Sequence, residues 1–525
     1  MGIDIGTSSS KGVLTTPDGQ VLAQQTMEHG ISIPQPGWAE HDPDRLWWHE
    51  FCTISRALLD ATQYRAADIG GVAVSAIGPC LLPVGPDGAP LRPAILYGID
   101  TRAVQEIADL NARYGEDTLY RAGGSVLSSQ AIGPKIMWLR RHEPEVYRAA
   151  ATFHSASDFM VFRLTGEQVM DAYTASLFNP LFSFDAQSWT STYAEGIVDV
   201  ARLPPVHHAA EIAGEVTAAA AAETGLVPGT PVTVGTVDAV AEAVSVGAIH
   251  PGDLMCMYGA TTFFILATDR PAPHPAMWSV CHALPGLFGM AAGMATTGAL
   301  TRWFRDLFAR ELLTEGPDSA YAALAREAAK APLGSHGLLV LPYFSGERTP
   351  INDPNARGVI CGLTLAHDRG HVFRALLEGT AYGIAHNLAV MREAGEEARR
   401  IMAVGGGTKN PLWLQIVSDV SGVTQQAPEQ TIGASYGDAF LAGLATGIIP
   451  SLDALDTDWV RIASTIDPDP AMHALYQPYY ELFHQLRRDT ENEQHALAAL
   501  QAVDGTHGPE GEAGGPGRSF QEGTV

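Results

Sequence analysis

Basic residues are scarce in this chain. Its 32 Lys and Arg stand against 58 Asp and Glu in 525 residues, a formal net charge of −26. That balance excludes general binding to nucleic acid or to an anionic membrane surface. It leaves room for a polyanionic small molecule, which a locally positive site or a set of backbone N–H groups can hold. Cysteine is also sparse. Cys52, Cys80, Cys256, Cys281 and Cys361 form no C-x-x-C pair and no zinc spacing, which excludes a disulfide scaffold and fits reduced thiols in a cytoplasm. The 18 histidines are dispersed, only His207 and His208 are adjacent, and H-E-x-x-H is absent, so histidine offers no metal site. No uninterrupted apolar run reaches about 18 residues, so no membrane span is expected. The N-terminus has no basic segment or cleavage site of a leader. The string G-x-x-x-x-G-K-[ST] is missing as well, which excludes a P-loop kinase.

What remains is a long chain with 46% hydrophobic residues, too long for one ordinary core and expected to form two or more domains. It opens with a short apolar run ending near Asp4, then Gly6, four hydroxyl residues (Thr7 to Ser10) and Lys11. The first strand is short for a core strand, and residues ahead of Met1 are expected to complete it. The next stretch, GVLTTPDGQVLAQQTM, reads as two strands around a Pro-Asp-Gly turn. The opening is therefore strand, hydroxyl-rich turn, strand, turn, strand, and not the strand–loop–helix unit of a P-loop or dinucleotide fold. DPDRLWWHEFCTISRALLDAT is expected to be helical with an Asp start, and IGGVAVSAIG a buried strand. PVTVGTVDAVAEAVSVGAI reads as a strand, a turn at Gly235–Thr236 and an Ala-rich helix. HPGDLMCMYGATTFFILAT resembles the opening in plan, with two strands around a Gly-Ala-Thr-Thr turn, and places a domain boundary near residue 248. A long helix is expected from about His371 to Glu393, then a strand running into AVGGGTKN, a helix from Pro411, a small-residue helix in GASYGDAFLAGLATG and one terminal helix beginning near DPAMHALYQ. From about residue 504 the composition turns to Gly, Pro and Glu and reads as a disordered tail.

Three strings carry chemistry. In the opening, Ser8 and Lys11 fit the S-x-x-K spacing of a serine nucleophile, but the partner motifs S-D-N and K-T-G are absent. Tight-turn N–H groups, hydroxyls and Lys11 account for the string better as a phosphate cradle, with Asp4 able to hold a metal through water. In VGTVDAVAEA, Asp238 follows a glycine turn and starts a helix. On that string alone it is either an N-cap or a carboxylate open to a cleft. In AVGGGTKNPLW, three glycines between strand and helix allow a flat ligand to lie against the backbone, although the dinucleotide spacing is lacking. Trp47, Trp48 and Trp138 read as core, and Trp38 as a loop residue with a less settled role.

In combination these strings resemble the FGGY carbohydrate kinases. GIDIGTSSSKG is similar to the family's first phosphate motif, GWAEHDPDRLW to a loop of its xylulokinase-like members, and GVICGLTLAHDRGHVFRALLEG to its C-terminal signature, with Leu376 as a departure. GGGTKNPLWLQIVSD and GASYGDAFLAG are similar to its adenine-site segments. The resemblance runs from Gly2 to about residue 490. It implies an α/β protein of two actin-like (ribonuclease H-like) domains, 1–247 for sugar and phosphate and 248–490 for nucleotide, with an interdomain cleft and a tail over 504–525. It implies an ATP-dependent kinase using Mg²⁺ and acting on a small sugar, D-xylulose being favoured. Asp238 would be the general base. Thr7, Ser8, Ser9, Lys11, Thr261, Gly298, Gly406 and Asn410 would hold ATP and its phosphates, Asp4 the metal through water, and Gly78, Pro79, Asp100 and Asp238 the sugar. Neither nucleic acid nor membrane is expected as a partner; a cytoplasmic location is, and a homodimer follows by family analogy. Two departures bear on the reading. Ala260 stands where a phosphate-contacting Thr is usual, leaving Thr261 or Thr262 to substitute. Ile77-Gly78-Pro79-Cys80 replaces the side chains that identify the sugar in xylulokinases and glycerol kinases, and LYGIDTRA, with Arg102, is one residue longer than Trp-x-Asp-x-Arg. The alternatives are a kinase for another ketose or a polyol (ribulose, glycerol or erythritol type) and a non-catalytic, actin-like ATP-binding sugar sensor. Deletion of residues 505–525 is expected to leave activity and melting temperature nearly unchanged; a clear loss of either would show that the tail is structural.

Overall fold

Alternation along one short strand sets the plan of the first half. In the computed structural model, which describes residues 1–504, Gly2–Ile5 forms strand β1, with Ser9–Thr15 as β2 and Val21–Glu28 as β3. Helix α1 spans His49–Asp60, strand β4 Ala73–Ala76, strand β5 Thr236–Val237, helix α2 Asp238–Ser245 and helix α3 Ala434–Ala445. The sheet order is β5-β4-β1-β2-β3. The first three strands are an antiparallel meander, and β4 and β5 then add in parallel to β1's free edge. Successive side chains on β1 point to opposite faces. Ile3 and Ile5 enter the core that α1 closes with Phe51, Ile54 and Leu58, joined by Trp47 from the turn before it. Gly2 and Asp4 face the other way, and a Cβ on Gly2 would lie 2.0 Å from the Ser435 carbonyl of α3. A second apolar core gathers Trp138, Phe153, Phe178 and Phe182. Trp47, Trp48 and Trp138 are all buried.

The chain forms two compact units that are not contiguous in sequence. One comprises Met1–Pro251, Ile265–Met290 and Glu429–Arg461; the other comprises Gly252–Phe264, Ala291–Pro428 and the chain from Ile462. Helix α3 belongs to the first. The plan of strand, glycine turn and strand recurs at Asp253–Tyr258 and Thr262–Thr268. Strands Arg400–Val404 and Gln425–Pro428 add in parallel, and Ile462–Ile466 closes the edge antiparallel. Helices Arg369–Glu393 and Pro411–Ser421 pack in the second unit. No helix among the described residues is long and apolar enough to cross a membrane.

Local differences from the sequence reading have local causes. Gly235 turns with φ 74°, but Thr236 already pairs with Ser75 and so belongs to a strand. The long helix starts at Arg369, because Asp368 accepts the His371 N–H and caps it there. The terminal helix is two helices, Pro470–Asp489 and Glu491–Asp504. Thr490 leaves helical geometry between them, and its hydroxyl turns back to the Leu486 carbonyl at 2.7 Å, a local bond that competes with helix continuation. Asp504 is thus helical, and the remainder of the expected tail lies outside the described residues.

Helices α2 and α3 touch through backbone. A Cβ on Gly437 would sit 2.0 Å from the Ala241 carbonyl. Helix propensity favours Gly→Ala by about 1 kcal/mol, whereas forcing a methyl into a filled contact costs about 1–3 kcal/mol or more. Packing should win, so Gly437→Ala should lower stability by about 1–2 kcal/mol. A denaturation midpoint equal to or above that of the wild type would contradict this.

Candidate active site

The in-register pair Asp4 and Ser75 is the seed of the site. Parallel pairing of β1 with β4 puts them side by side on the face that α3 covers, and Asp438 comes down from α3 onto the same spot. The Ser75 hydroxyl lies 2.6 Å from Asp438 Oδ2 and 3.3 Å from Asp4 Oδ1, and the Ser75 amide donates to Asp438 Oδ2 at 3.0 Å. A serine hydroxyl has one hydrogen. It can therefore donate to Asp438 while accepting from a protonated Asp4. Asp438 Oδ1 is buried with no hydrogen-bond partner.

Asp238 is the first residue of α2, delivered by β5 beside β4. It is half-buried, and its Oδ1 accepts the Ala239 N–H at 2.7 Å. Burial pushes its pKa up to about 7; the Ala239 bond opposes the rise, and the charge of Glu242, one turn on, adds to it. Asp4 is raised well above the ordinary carboxylate range, first by burial and then by the like charges of Asp238 and Asp438, with Lys11 pulling the other way. Asp438 and Glu242 are raised by burial too, with Lys11 opposing the shift at Glu242. Lys11 thus offsets two of the four carboxyl groups, and the Met1 ammonium offsets Asp438. Such a group accepts a proton or a cation readily and holds a base near neutral pH.

The hydroxyl-rich turn closes beside this cluster. The Gly6 amide donates to the Ser9 carbonyl at 3.0 Å, and the His29 amide to the Ser8 carbonyl at 2.9 Å. Thr7, Ser8, Ser9 and Lys11 are all half-buried along it, and the Thr7 hydroxyl lies 3.4 Å from the Tyr97 phenol oxygen.

Gly78 and Pro79 follow β4 in the segment carrying Ile77 and Cys80, which is buried apart from a half-buried Gly78. Cys80 Sγ turns back to the Ile77 carbonyl at 3.4 Å. Asp100 is fully buried: its oxygens accept from the Arg102 guanidinium at 2.7–3.0 Å, from the Arg102 amide and from the Ala39 amide. Arg102 also binds Glu40 and lies 4.0 Å over the Trp38 ring, so Trp38 packs on a buried guanidinium. Asp171, capping Ala172–Ser176, accepts the Thr236 hydroxyl at 2.8 Å; burial raises it to about 6.

The second unit gathers its own expected residues. The amides of Thr297 and Ala299 donate to the Ala260 carbonyl and that of Gly298 to the Gly259 carbonyl, at 2.9–3.1 Å. A Cβ on Gly298 would meet that Gly259 carbonyl at 2.3 Å, so only glycine permits the approach. Thr262 is buried and bonded to Thr297 at 2.9 Å, whereas Thr261 is exposed. Gly406 and Asn410 are half-buried in the strand-to-helix turn, where Asn410 caps Pro411–Ser421 by accepting the Trp413 N–H at 3.2 Å.

The structure therefore brings Asp4, Lys11 and Asp238 into one charged cluster, and Thr261 and Gly298 into another turn. The sequence reading missed Ser75, Asp438 and Glu242. Asp438 lies within GASYGDAFLAG, where a single acid among small residues was the only hint; its burial is seen in the fold. Among the described residues no three His, Cys, Asp or Glu side chains converge as a metal cage. One or two carboxylates completed by phosphates and water is the usual way to hold Mg²⁺, and Asp4 with the unpartnered Asp438 oxygen fits that donor set.

The fold is α/β, in two actin-like, ribonuclease H-like domains. The model of the FGGY family of carbohydrate kinases matches residues 1–245 with its N-terminal domain and 254–446 with its C-terminal domain. The chain belongs to the FGGY family of carbohydrate kinases and is an ATP-dependent sugar kinase. It is 31% identical to the xylulose kinase of Escherichia coli over 493 residues, 93% of this chain and 98% of that one. It is 30% identical to the autoinducer-2 kinase of Yersinia enterocolitica over 495 residues, 91% of this chain and 92% of that one. Among solved structures it is similar to the xylulose kinase from Rhodospirillum rubrum, with a TM-score of 0.87, 33% identity and coverage of 94% and 99% of the two chains.

Proposed function

We propose that the protein transfers the γ-phosphate of ATP to a hydroxyl of a small sugar, with D-xylulose the favoured acceptor and Asp238 the general base. The observation that carries this reading is the half-buried Asp238 at the start of α2; burial raises its pKa to about 7, and the charge of Glu242 adds to the rise. A base is most effective when its pKa lies near the working pH. Asp238 accepts the proton of the attacking hydroxyl, and the oxygen then attacks the γ-phosphorus in line while the bond to the β-phosphate oxygen breaks. Lys11 and the hydroxyls of Thr7, Ser8 and Ser9 hold phosphate oxygens; Thr261, Gly298, Gly406 and Asn410 serve the nucleotide. Asp4, through water, and Asp438 would hold Mg²⁺, which when bound neutralises phosphate charge.

On the acceptor side, Gly78 and Pro79 contribute backbone and ring rather than hydrogen-bonding side chains. Asp100, engaged by Arg102 and Ala39, shapes the wall more than it contacts sugar. A second reading is another acceptor, a different ketose or a polyol. It is supported by the apolar Ile77–Cys80 segment and by the likeness to an autoinducer-2 kinase. Five unpaired cysteines suit a cytoplasmic setting.

ADP release over a panel of xylulose, ribulose, glycerol, erythritol and autoinducer-2 tests both readings. At least one acceptor should stimulate ADP formation, and Asp238→Asn should lower kcat by roughly 10²–10⁴-fold. No stimulation by any acceptor, or an Asn variant with full activity, would contradict the assignment.

A further inference from the structure

Lys135 is wholly buried in the Ile132–His142 helix. Its Nζ donates to two consecutive carbonyls, those of Leu96 and Tyr97, the latter at 2.9 Å. In a strand, successive carbonyls point to opposite sides. One ammonium taking both therefore requires the chain to leave strand geometry, as it does after Ala94–Ile95. The residues ahead of Lys135 complete the grip: Gln130 Oε1 accepts the Gly98 N–H at 3.2 Å, and the Ser129 hydroxyl donates to the Gly98 carbonyl at 2.7 Å. The segment so held carries the Tyr97 phenol to 3.4 Å from the Thr7 hydroxyl of the phosphate-side turn.

An ammonium with no exposure is a large desolvation penalty, and apolar side chains of similar length fill such space at no such cost. Two donations to backbone carbonyls are what a methionine or leucine cannot supply. We infer that Lys135 is a positioning residue: it fixes the Leu96–Gly98 wall, and with it Tyr97, beside the phosphate-side turn, so that an acceptor hydroxyl meets the phosphate in register. This rests on the kinase reading above. The groups facing the ammonium are Cys80 from the Gly78–Cys80 segment and Asp100 and Arg102 from the wall itself. Burial lowers the Lys135 pKa to about 8, with Asp100 and Cys80 opposing and Arg102 reinforcing the shift. The charged clamp is therefore complete below that pH and weakens as pH rises through it, since a neutral amine is a poorer donor.

The test compares wild type, Lys135→Met and Lys135→Gln with the best acceptor of the panel, between pH 6 and 9.5. A wild type that responds to the acceptor secures the kinase reading independently of what the variants do. In Lys135→Met the acceptor KM should rise roughly tenfold or more, while the KM for ATP changes less than about twofold. Lys135→Gln, which keeps two N–H donors, should recover part of that loss. The wild-type acceptor KM should climb above pH about 8, and neither variant should show that climb. A folded Lys135→Met with the wild-type acceptor KM at every pH overturns the inference. Should the methionine variant fail to fold, a glutamine variant that retains the alkaline climb overturns it equally, because the titrating group would then lie elsewhere.

Discussion

The crowding of carboxyl groups on one face of the first sheet is the constraint on which the rest of the site depends. Asp4, Asp238, Glu242 and Asp438 bear on one another electrostatically, offset by Lys11 at Asp4 and Glu242 and by the Met1 ammonium at Asp438. Buried like charges of this kind raise one another's proton affinity and attract cations. The arrangement is unfavourable for an isolated protein, and it is tolerated because Ser75 supplies both an amide and a hydroxyl to Asp438 and the register of β1 with β4 fixes Asp4 beside them. A charge cluster with an unpartnered oxygen is a place prepared for a cationic or phosphate-borne ligand.

Close packing makes the cluster possible. Side chains at the crossing of α2, α3 and β1 are small because backbone meets backbone there, at Gly437 against Ala241 and at Gly2 against Ser435. Larger residues would hold the helices off and separate the carboxylates. The opposite face of the sheet does the conventional work of burial, with Ile3, Ile5, Trp47 and Phe51. One strand thus divides structure from chemistry by the two-residue period alone. The Leu96–Gly98 segment follows a similar logic with a different device, a buried lysine holding a bend that strand pairing cannot hold.

Much of this was legible in the sequence. Short apolar runs broken by Gly, Pro and Asp gave the opening meander, and the strand-turn-helix pattern placed Asp238 at the head of a helix. The FGGY strings carried fold and family. What the sequence could not express is adjacency across the chain. Asp438 reaches Ser75 over 363 residues, and nothing in the spacing of GASYGDAF signals that its acid joins the first sheet. The resemblance gives Asp100 as a sugar contact; in the fold its oxygens accept from Arg102 and from the Ala39 amide, contacts that only folding creates. Lys135 sits in an amphipathic-looking helix where a lysine would ordinarily be solvated, and its burial depends on the bend at Leu96 and Tyr97.

The proposed role of Asp238 is that of a base whose proton affinity burial raises, with the charge of Glu242 adding to it. The most direct measurement is the pH dependence of kcat/KM for the acceptor at saturating ATP. A base must be unprotonated to act, so a pKa raised to about 7 predicts a fall in kcat/KM on the acid side, beginning near pH 7 and steepening to tenfold per pH unit. A profile that stays level from pH 8 down to about 5, where an ordinary exposed aspartate remains ionised, would contradict the account.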